Sequence, residues 1–191
     1  MNTQHPHGPT PSHRALARVV VEIERRAAAR GWDAPVGVFA LVRTAAALAQ
    51  DPDLARLLDA AAIEEARADP CALTVIEQEG LPPAADLGDL LGRLAWPPAV
   101  DGAAVSVERI MVGPASEAGA GAIEDPGERI AFLQARPDRQ DVRLVAGVLR
   151  SGESWCAVRA RSRDSDEAVV QGEAVVPGLP KIGRASCRER V

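Results

Sequence analysis

Residues 141–163, DVRLVAGVLRSGESWCAVRARSR, constrain the fold of this chain more than any other stretch. Two apolar alternations stand there on either side of a tight turn. In the first run Val142, Leu144, Ala146 and Val148 are apolar; in the second, Cys156, Val158 and Ala160. Side chains alternate faces along a strand, so each run presents one wholly apolar face. If both faces belong to the same side of one sheet, even residues pair with even residues. That demands an odd number of loop residues, such as Ser151-Gly152-Glu153, with Gly152 supplying the freedom of the turn. The opposite face then carries Arg143, Trp155, Arg159 and Arg161, extended by Arg163.

A chain of 191 residues fits one domain with a real core. Aromatics are only 3% and Tyr is absent, so that core must be built mainly from Leu, Val, Ile and Ala. No apolar run approaches the roughly 20 residues of a membrane span. The N-terminus, MNTQHPHGPTPSH, lacks a basic stretch followed by an apolar one, so a cytoplasmic location is expected.

The C-terminus differs from everything before it. Ile182–Val191, IGRASCRERV, has no apolar period and matches what one reading frame of a common short-read sequencing adapter encodes. Lys181 falls under the same suspicion, so residues 181–191 are expected to be an artefactual tail appended at about Pro180. Without them the chain has no Lys and is more acidic than its formal charge of −5. An acidic chain without Lys argues against a general nucleic-acid or anionic-membrane binder. Two isolated cysteines, Cys71 and Cys156, imply neither a disulfide framework nor a zinc site.

In chain order, residues 1–11 are rich in Pro and His and are expected to be a disordered tail. Ser12 reads as the cap of a helix with Leu16, Val19, Val20 and Ile23 on one stripe, ending at Arg30-Gly31. Asp33 reads as the cap of a second helix to about Gln50, with Val36, Phe39, Val42 and Ala46 in line. Asp51-Pro52 opens a third. Residues 72–78 read as a strand, and Leu87, Leu90, Leu91 and Leu94 as an amphipathic helix. Residues 103–112 read as a second strand, and 113–121 as a small-residue loop. Asp125 with Glu128 forms a capping box for a short helix. The hairpin follows, then a turn at 164–167 and a short strand at Val169-Val170. The expected class is α+β: N-terminal helices, then a mixed or antiparallel sheet ending in a β-hairpin, as a single domain over residues 12–180.

Several segments are similar to those of an uncharacterised actinobacterial protein family with no assigned function. They include Trp32-Asp33, Phe39-Ala40-Leu41-Val42, Glu77-Gln78-Glu79, Ala95-Trp96-Pro97-Pro98 and Val107-Glu108-Arg109. The similarity is strongest at Pro137–Arg143, PDRQDVR, and extends to Trp155-Cys156-Ala157 and Val176-Pro177-Gly178-Leu179. It spans nearly the whole chain to Pro180 and implies a further C-terminal helix after Leu179. It supplies no activity, ligand or catalytic residue.

The chemistry is limited by what is missing. His5, His7 and His13 all lie before or at the start of the first helix, leaving no histidine expected in the folded body for a nucleophile–base pair. Cys156 sits on the apolar face of the hairpin, where an inert thiol is expected. Glu77 with Glu79, and Asp86 with Asp89, are carboxylate pairs that suit a divalent cation or acid–base work. A solvated strand face for the first pair and a helix cap for the second are the simpler accounts. Arg143, Trp155, Arg159 and Arg161 are the sharpest group, suited to clamping a phosphate or carboxylate or to anchoring a partner. Neutralisation by Asp138, Asp141 and Asp164 is the plainer account. No catalytic residue, metal ligand or cofactor is assigned.

Two readings of function follow. One is a non-catalytic cytoplasmic interaction or regulatory domain using the Trp/Arg strand face on a protein partner. The other is a binder or metal-dependent hydrolase of an anionic, phosphorylated small molecule. The second requires the arginines and a carboxylate pair to share one pocket.

Overall fold

The apolar stripe at Leu16, Val19, Val20 and Ile23 becomes α1 (Pro11–Ala29) in the computed structural model, which describes residues 9–84 and 86–173. Its cap is Thr10 rather than Ser12. The Thr10 hydroxyl accepts from His13 N, and Pro11 takes the first turn, where no amide hydrogen is needed. The tail expected at 1–11 therefore reaches into a helix at its last residue, and residues 1–8 lie outside the described residues.

The second expected helix is corrected. Gly37–Arg43 is a strand, β1, and only Thr44–Gln50 is helical, α2. Asp33 is not a cap; it adopts φ 67 within the loop between α1 and β1. Val38, Phe39, Ala40 and Leu41 are all buried because both faces of β1 are covered. A strand covered on both sides loses its alternation and reads as a plain apolar run. A short 3₁₀ turn at Pro52–Arg56 and α3 (Ala60–Ala68) then lead to β2 (Leu73–Glu77) and α4 (Leu87–Arg93).

Beyond α4 come β3 (Gly102–Met111), α5 (Pro114–Gly121), α6 (Pro126–Gln134), β4 (Gln140–Leu149), β5 (Ser154–Ala160) and β6 (Val170–Gly172). The loop expected at 113–121 is the helix α5. Its orphan N-terminal groups are met from a distance: Asp138 accepts from Gly113 N at 2.8 Å and from Ser116 Oγ at 3.0 Å. A helix capped from 22 or more residues away carries no local start signal.

The six strands of the described residues form one sheet in the order β2-β1-β3-β4-β5-β6, and every neighbouring pair is antiparallel. The fold is α+β, as expected. The hairpin register pairs Leu144 with Val158 and Ala146 with Cys156, even with even. Its loop has three residues, Arg150-Ser151-Gly152, closed by Leu149 N donating to Glu153 O. Gly152, at φ 105, takes the left-handed position that such a loop requires.

Both faces of the sheet are covered. The even hairpin residues Leu144, Ala146 and Cys156 join Val38, Val105 and Val107 beneath Leu87, Leu90 and Leu91 of α4. The odd face, expected to be accessible, lies under α1: Val145, Leu149 and Ala157 pack with Leu16, Val20 and Ile23. The stripe of α1 needs an apolar partner, and the odd face is where it finds one. Gly147 permits the close approach, since a Cβ there would stand 2.7 Å from Val20 Cγ2 and 3.0 Å from Leu16 Cδ1.

Candidate functional site

The arginines expected on an open strand face are mostly inside. Arg143 and Arg159 sit directly opposite one another on β4 and β5, at 1% and 2% exposure. The expectation of an accessible Arg143/Trp155/Arg159/Arg161 face is thus overturned for its two central members. The odd face has no room for solvated guanidinium groups because α1 and the loop after it lie across it. Buried charges must then be paired.

Arg159 is paired most fully. Its Nε and Nη2 donate to Glu24 Oε1 and Oε2 of α1 at 2.6 and 2.8 Å. Nη2 also reaches Asp166 at 2.6 Å, and Nη1 reaches Asp164 at 3.3 Å. Glu24 and Asp166 raise its pKa further above the ordinary guanidinium value, with the Glu24 hydrogen bonds as the largest cause. Arg161 is half exposed and pairs bidentately with Asp33, at 2.9 and 2.8 Å. That contact holds the Asp33 carboxyl below the usual range.

Arg143 is built differently. Its Nη2 donates to Gly31 O and, at 3.2 Å, to Glu108 Oε1, and its guanidinium lies 4.4 Å from the centroid of the Trp32 ring. Arg161 stands over the same ring at 5.3 Å, and Trp32 Nε1 donates to Asp164 Oδ2 at 2.8 Å. Glu108 also accepts from Asp33 N at 2.9 Å. Residues 31–36 are therefore a strap fastened across the arginines by Trp32, Asp33 and the Gly31 carbonyl. Nη1 of Arg143, also buried, has no hydrogen-bond partner among the described residues.

Trp155 stands apart from this cluster. It is half-buried near the start of α1, edge-on to His13 with ring centroids 5.1 Å apart, and its Nε1 donates to Gln171 at 3.3 Å. His13 is thus packed into the folded body, contrary to expectation. The aromatic ring beside the arginines is Trp32.

Between the last turns of α1, the strap and strands β1–β3 lies a cleft of about 140 Å³. Arg26, Arg30, Arg143, Glu77, Glu108 and Ser106 supply its polar walls; Ile23, Ala27, Pro35, Phe39, Val75 and Val107 are among its apolar ones. Arg30 donates bidentately to Glu77 at 2.7 and 2.6 Å and holds that carboxyl below its usual range. One arginine of the expected group and one carboxylate of an expected pair therefore do share a cavity, though Glu77 is already engaged. Glu79 is exposed. Asp86 caps α4 by accepting from Asp89 N, and Asp89 pairs with Arg93 at 2.8 Å, on the other side of the sheet. Among the described residues no group of three or more His, Cys, Asp or Glu is placed to hold a metal ion. Cys156 is fully buried, and desolvation pushes its thiol pKa up.

Compared with known protein families, the chain matches the model of the PPA1309-like proteins over residues 16–186. It belongs to that family. The matched span takes in α1 from Leu16 onward, the six strands of the described residues and both walls of the cleft, so the strap and its arginines lie within the matched part. It also runs past Pro180; the tail expected at 181–191 lies outside the described residues. No curated protein and no solved structure matches the chain. Among the described residues no helix is long and apolar enough to cross a membrane.

Glu24 and Trp32 were missed by sequence reasoning, although each left a signal. Glu24 falls at i+4 and i+8 from Val20 and Leu16, on the buried stripe itself, where a carboxylate demands a cationic partner. Trp32 follows the glycine that ends α1, at a position where a large ring has no helical reason to be.

Proposed function

We propose that this family member is a non-catalytic cytoplasmic binding or regulatory domain whose ligand is a small anionic molecule seated in the cleft beside Arg143. The observation that carries this is the lining of that cleft, where Arg26, Arg30 and Arg143 stand with Glu77 and Glu108; Nη1 of Arg143, buried within the wall, also has no acceptor among the described residues. Such a group costs about 1–3 kcal/mol, more when charged, unless something accepts its hydrogen. Trp32 does not meet that need, because its ring, centred 4.4 Å from the guanidinium carbon, offers no acceptor oxygen. Arg26 and Arg30 at the rim add positive charge toward the same space.

A protein docking flat on the original strand face is not part of the proposal, since Arg143 and Arg159 are covered. Metal-dependent hydrolysis is the second reading, and Glu77 in the cleft is the observation that favours it. The test is a thermal-shift screen against carboxylates, inorganic phosphate, sugar phosphates and nucleotides, with and without divalent ions. Specific binding raises Tm. An anion that raises Tm in the parent chain and not in Ala27→Phe, which fills the cleft, supports the proposal. No response to any anion overturns it, and divalent-dependent turnover of a phosphorylated compound moves the reading to the hydrolase.

A further inference from the structure

We infer that β2 is a docking edge for a second copy of this chain, the two strands pairing antiparallel about Val75 so that both sheets join into one. The inference is independent of the anion reading. Among the described residues β2 pairs on one side only, with β1, and stands at the end of the sheet. Its hydrogen-bond phase is fixed: Gln78 N donates to Val38 O at 2.8 Å, and Thr44 N donates to Ala72 O at 3.0 Å. Hydrogen-bonded pairs recur at every second residue of an antiparallel ladder, so Thr74 and Ile76 also turn their backbone groups toward β1. The N–H and C=O groups of Leu73, Val75 and Glu77 therefore point away from the sheet.

An open strand edge is a template for another strand, and edges are ordinarily blunted by Lys, Pro, a bulge or brevity. β2 has none of these. It runs for five residues, Leu-Thr-Val-Ile-Glu, in unbroken register with β1. Its one charge, on Glu77, is neutralised by two hydrogen bonds from Arg30 of α1. Leu73 and Val75 pack toward α1, so Ile76 lies on the opposite face, where it is 47% exposed.

This edge is complementary to itself. A twofold axis through Val75 sets Leu73 against Glu77 and Thr74 against Ile76, so every outward residue meets an outward residue and exchanges both backbone bonds with it. Glu77 then faces Leu73 of the second copy instead of another carboxylate, and Ile76 gains a β-branched neighbour. Moving the axis to Glu77 would bring two carboxylates together, and moving it to Leu73 would run Val75 and Glu77 past the end of the facing strand. The opposite edge, β6, has only three residues, and pairing β2 with it would build open chains of molecules, not a closed dimer. Because the axis stands normal to the sheet, both copies of α1 stay on one face. Val75 and Glu77 line the cleft beside Arg143, so the two clefts come to lie side by side, each edged by Leu73 of the other copy.

The test is sedimentation velocity of the full chain from micromolar to submillimolar concentration, with amide hydrogen exchange followed by NMR at both ends of that range. A reversible monomer–dimer equilibrium is expected. The amides of Leu73, Val75 and Glu77 should exchange at least tenfold more slowly in the concentrated sample, while those of Thr74 and Ile76 stay unchanged. Ile76→Lys places a charge on the edge and should raise the dimer Kd at least tenfold, with Tm of the dilute protein within a few degrees. Val75→Pro removes an outward N–H and no bond to β1, and should do the same. If either variant fails to fold, the exchange pattern of the parent chain still decides. A chain that stays monomeric at submillimolar concentration overturns the inference. So does a dimer in which the three outward amides exchange at a rate independent of concentration, because it uses another surface. Slow exchange of those amides already in the monomer would mean that a segment of the same chain covers the edge, which also overturns it. Growth beyond the dimer would mean head-to-tail pairing and would sink the twofold.

Discussion

Arg159 on β5 and Glu24 on α1, 135 residues apart, meet as a bidentate ion pair with both side chains at 2% exposure or less. The pair ties the first helix of the chain to its last long strand, and Asp164 and Asp166 complete the coordination of the guanidinium. A surface ion pair contributes little, whereas the loss of one partner from a buried pair leaves a charge stranded.

Glu24→Ala and Arg159→Ala should each therefore cost about 3–5 kcal/mol in urea denaturation. Glu24→Leu combined with Arg159→Met should recover most of that loss, because an apolar pair of similar size removes both charges together. A single variant that loses less than about 1 kcal/mol would show that solvent reaches the pair.

Acid should weaken the fold through the strap. Asp33, Glu77, Asp141 and Asp164 all have lowered folded pKa values, each chiefly through a hydrogen bond: from Arg161, Arg30, Arg139 and Trp32 respectively. A carboxylate with a depressed folded pKa contributes stability that is fully present above its unfolded value of about 4 and is lost as pH falls through the folded value. The urea midpoint should accordingly be flat from about pH 7 to pH 5 and fall below pH 4. A midpoint that holds constant down to pH 3 contradicts this.

Trp32→Leu should release the strap without unfolding the sheet. The substitution removes the surface under Arg143 and Arg161 and the indole donor to Asp164. Amide hydrogen exchange over residues 31–36 should accelerate at least tenfold, while exchange in β3 and β4 stays slow. Uniform acceleration throughout the sheet would mean that Trp32 is a core residue rather than a fastening.

Two glycines separate backbone cost from steric cost. Gly152→Ala puts a side chain at φ 105 with nothing within 4 Å of its Cβ, so only backbone strain of roughly 1–2 kcal/mol is expected. Gly102→Ala has no such strain but sets its Cβ 2.4 Å from Val148 O, a backbone atom, and should cost more. Equal midpoints for the two variants would refute the ordering.

How far the sequence was legible follows from how local each signal is. The even-with-even register of the hairpin and the caps of α4 and α6 rest on neighbours within a few residues, and they were read correctly. β1 was mistaken for a helix because Val36, Phe39, Val42 and Ala46 fall at a helical spacing within a run that is buried on both faces. α5 was missed because its capping carboxylate, Asp138, belongs to the segment before β4. The site failed for the same reason. Alternation places Arg143 and Arg159 on one face, but only the packing of α1 determines that this face is closed, and only Glu24 makes closure tolerable.

The missing methyl at Gly147 has a consequence for the cleft. α1 rests on that glycine through Leu16 and Val20, and the same helix, two turns on, supplies Ile23 and Ala27 to the cleft beside Arg143. Gly147→Ala would act as a shim under one end of a rigid rod. The far end would tilt, Glu24 would be drawn off Arg159, and the cleft would change its width. A single carbon atom on the strand would thus be read out as a change of shape among residues it never touches.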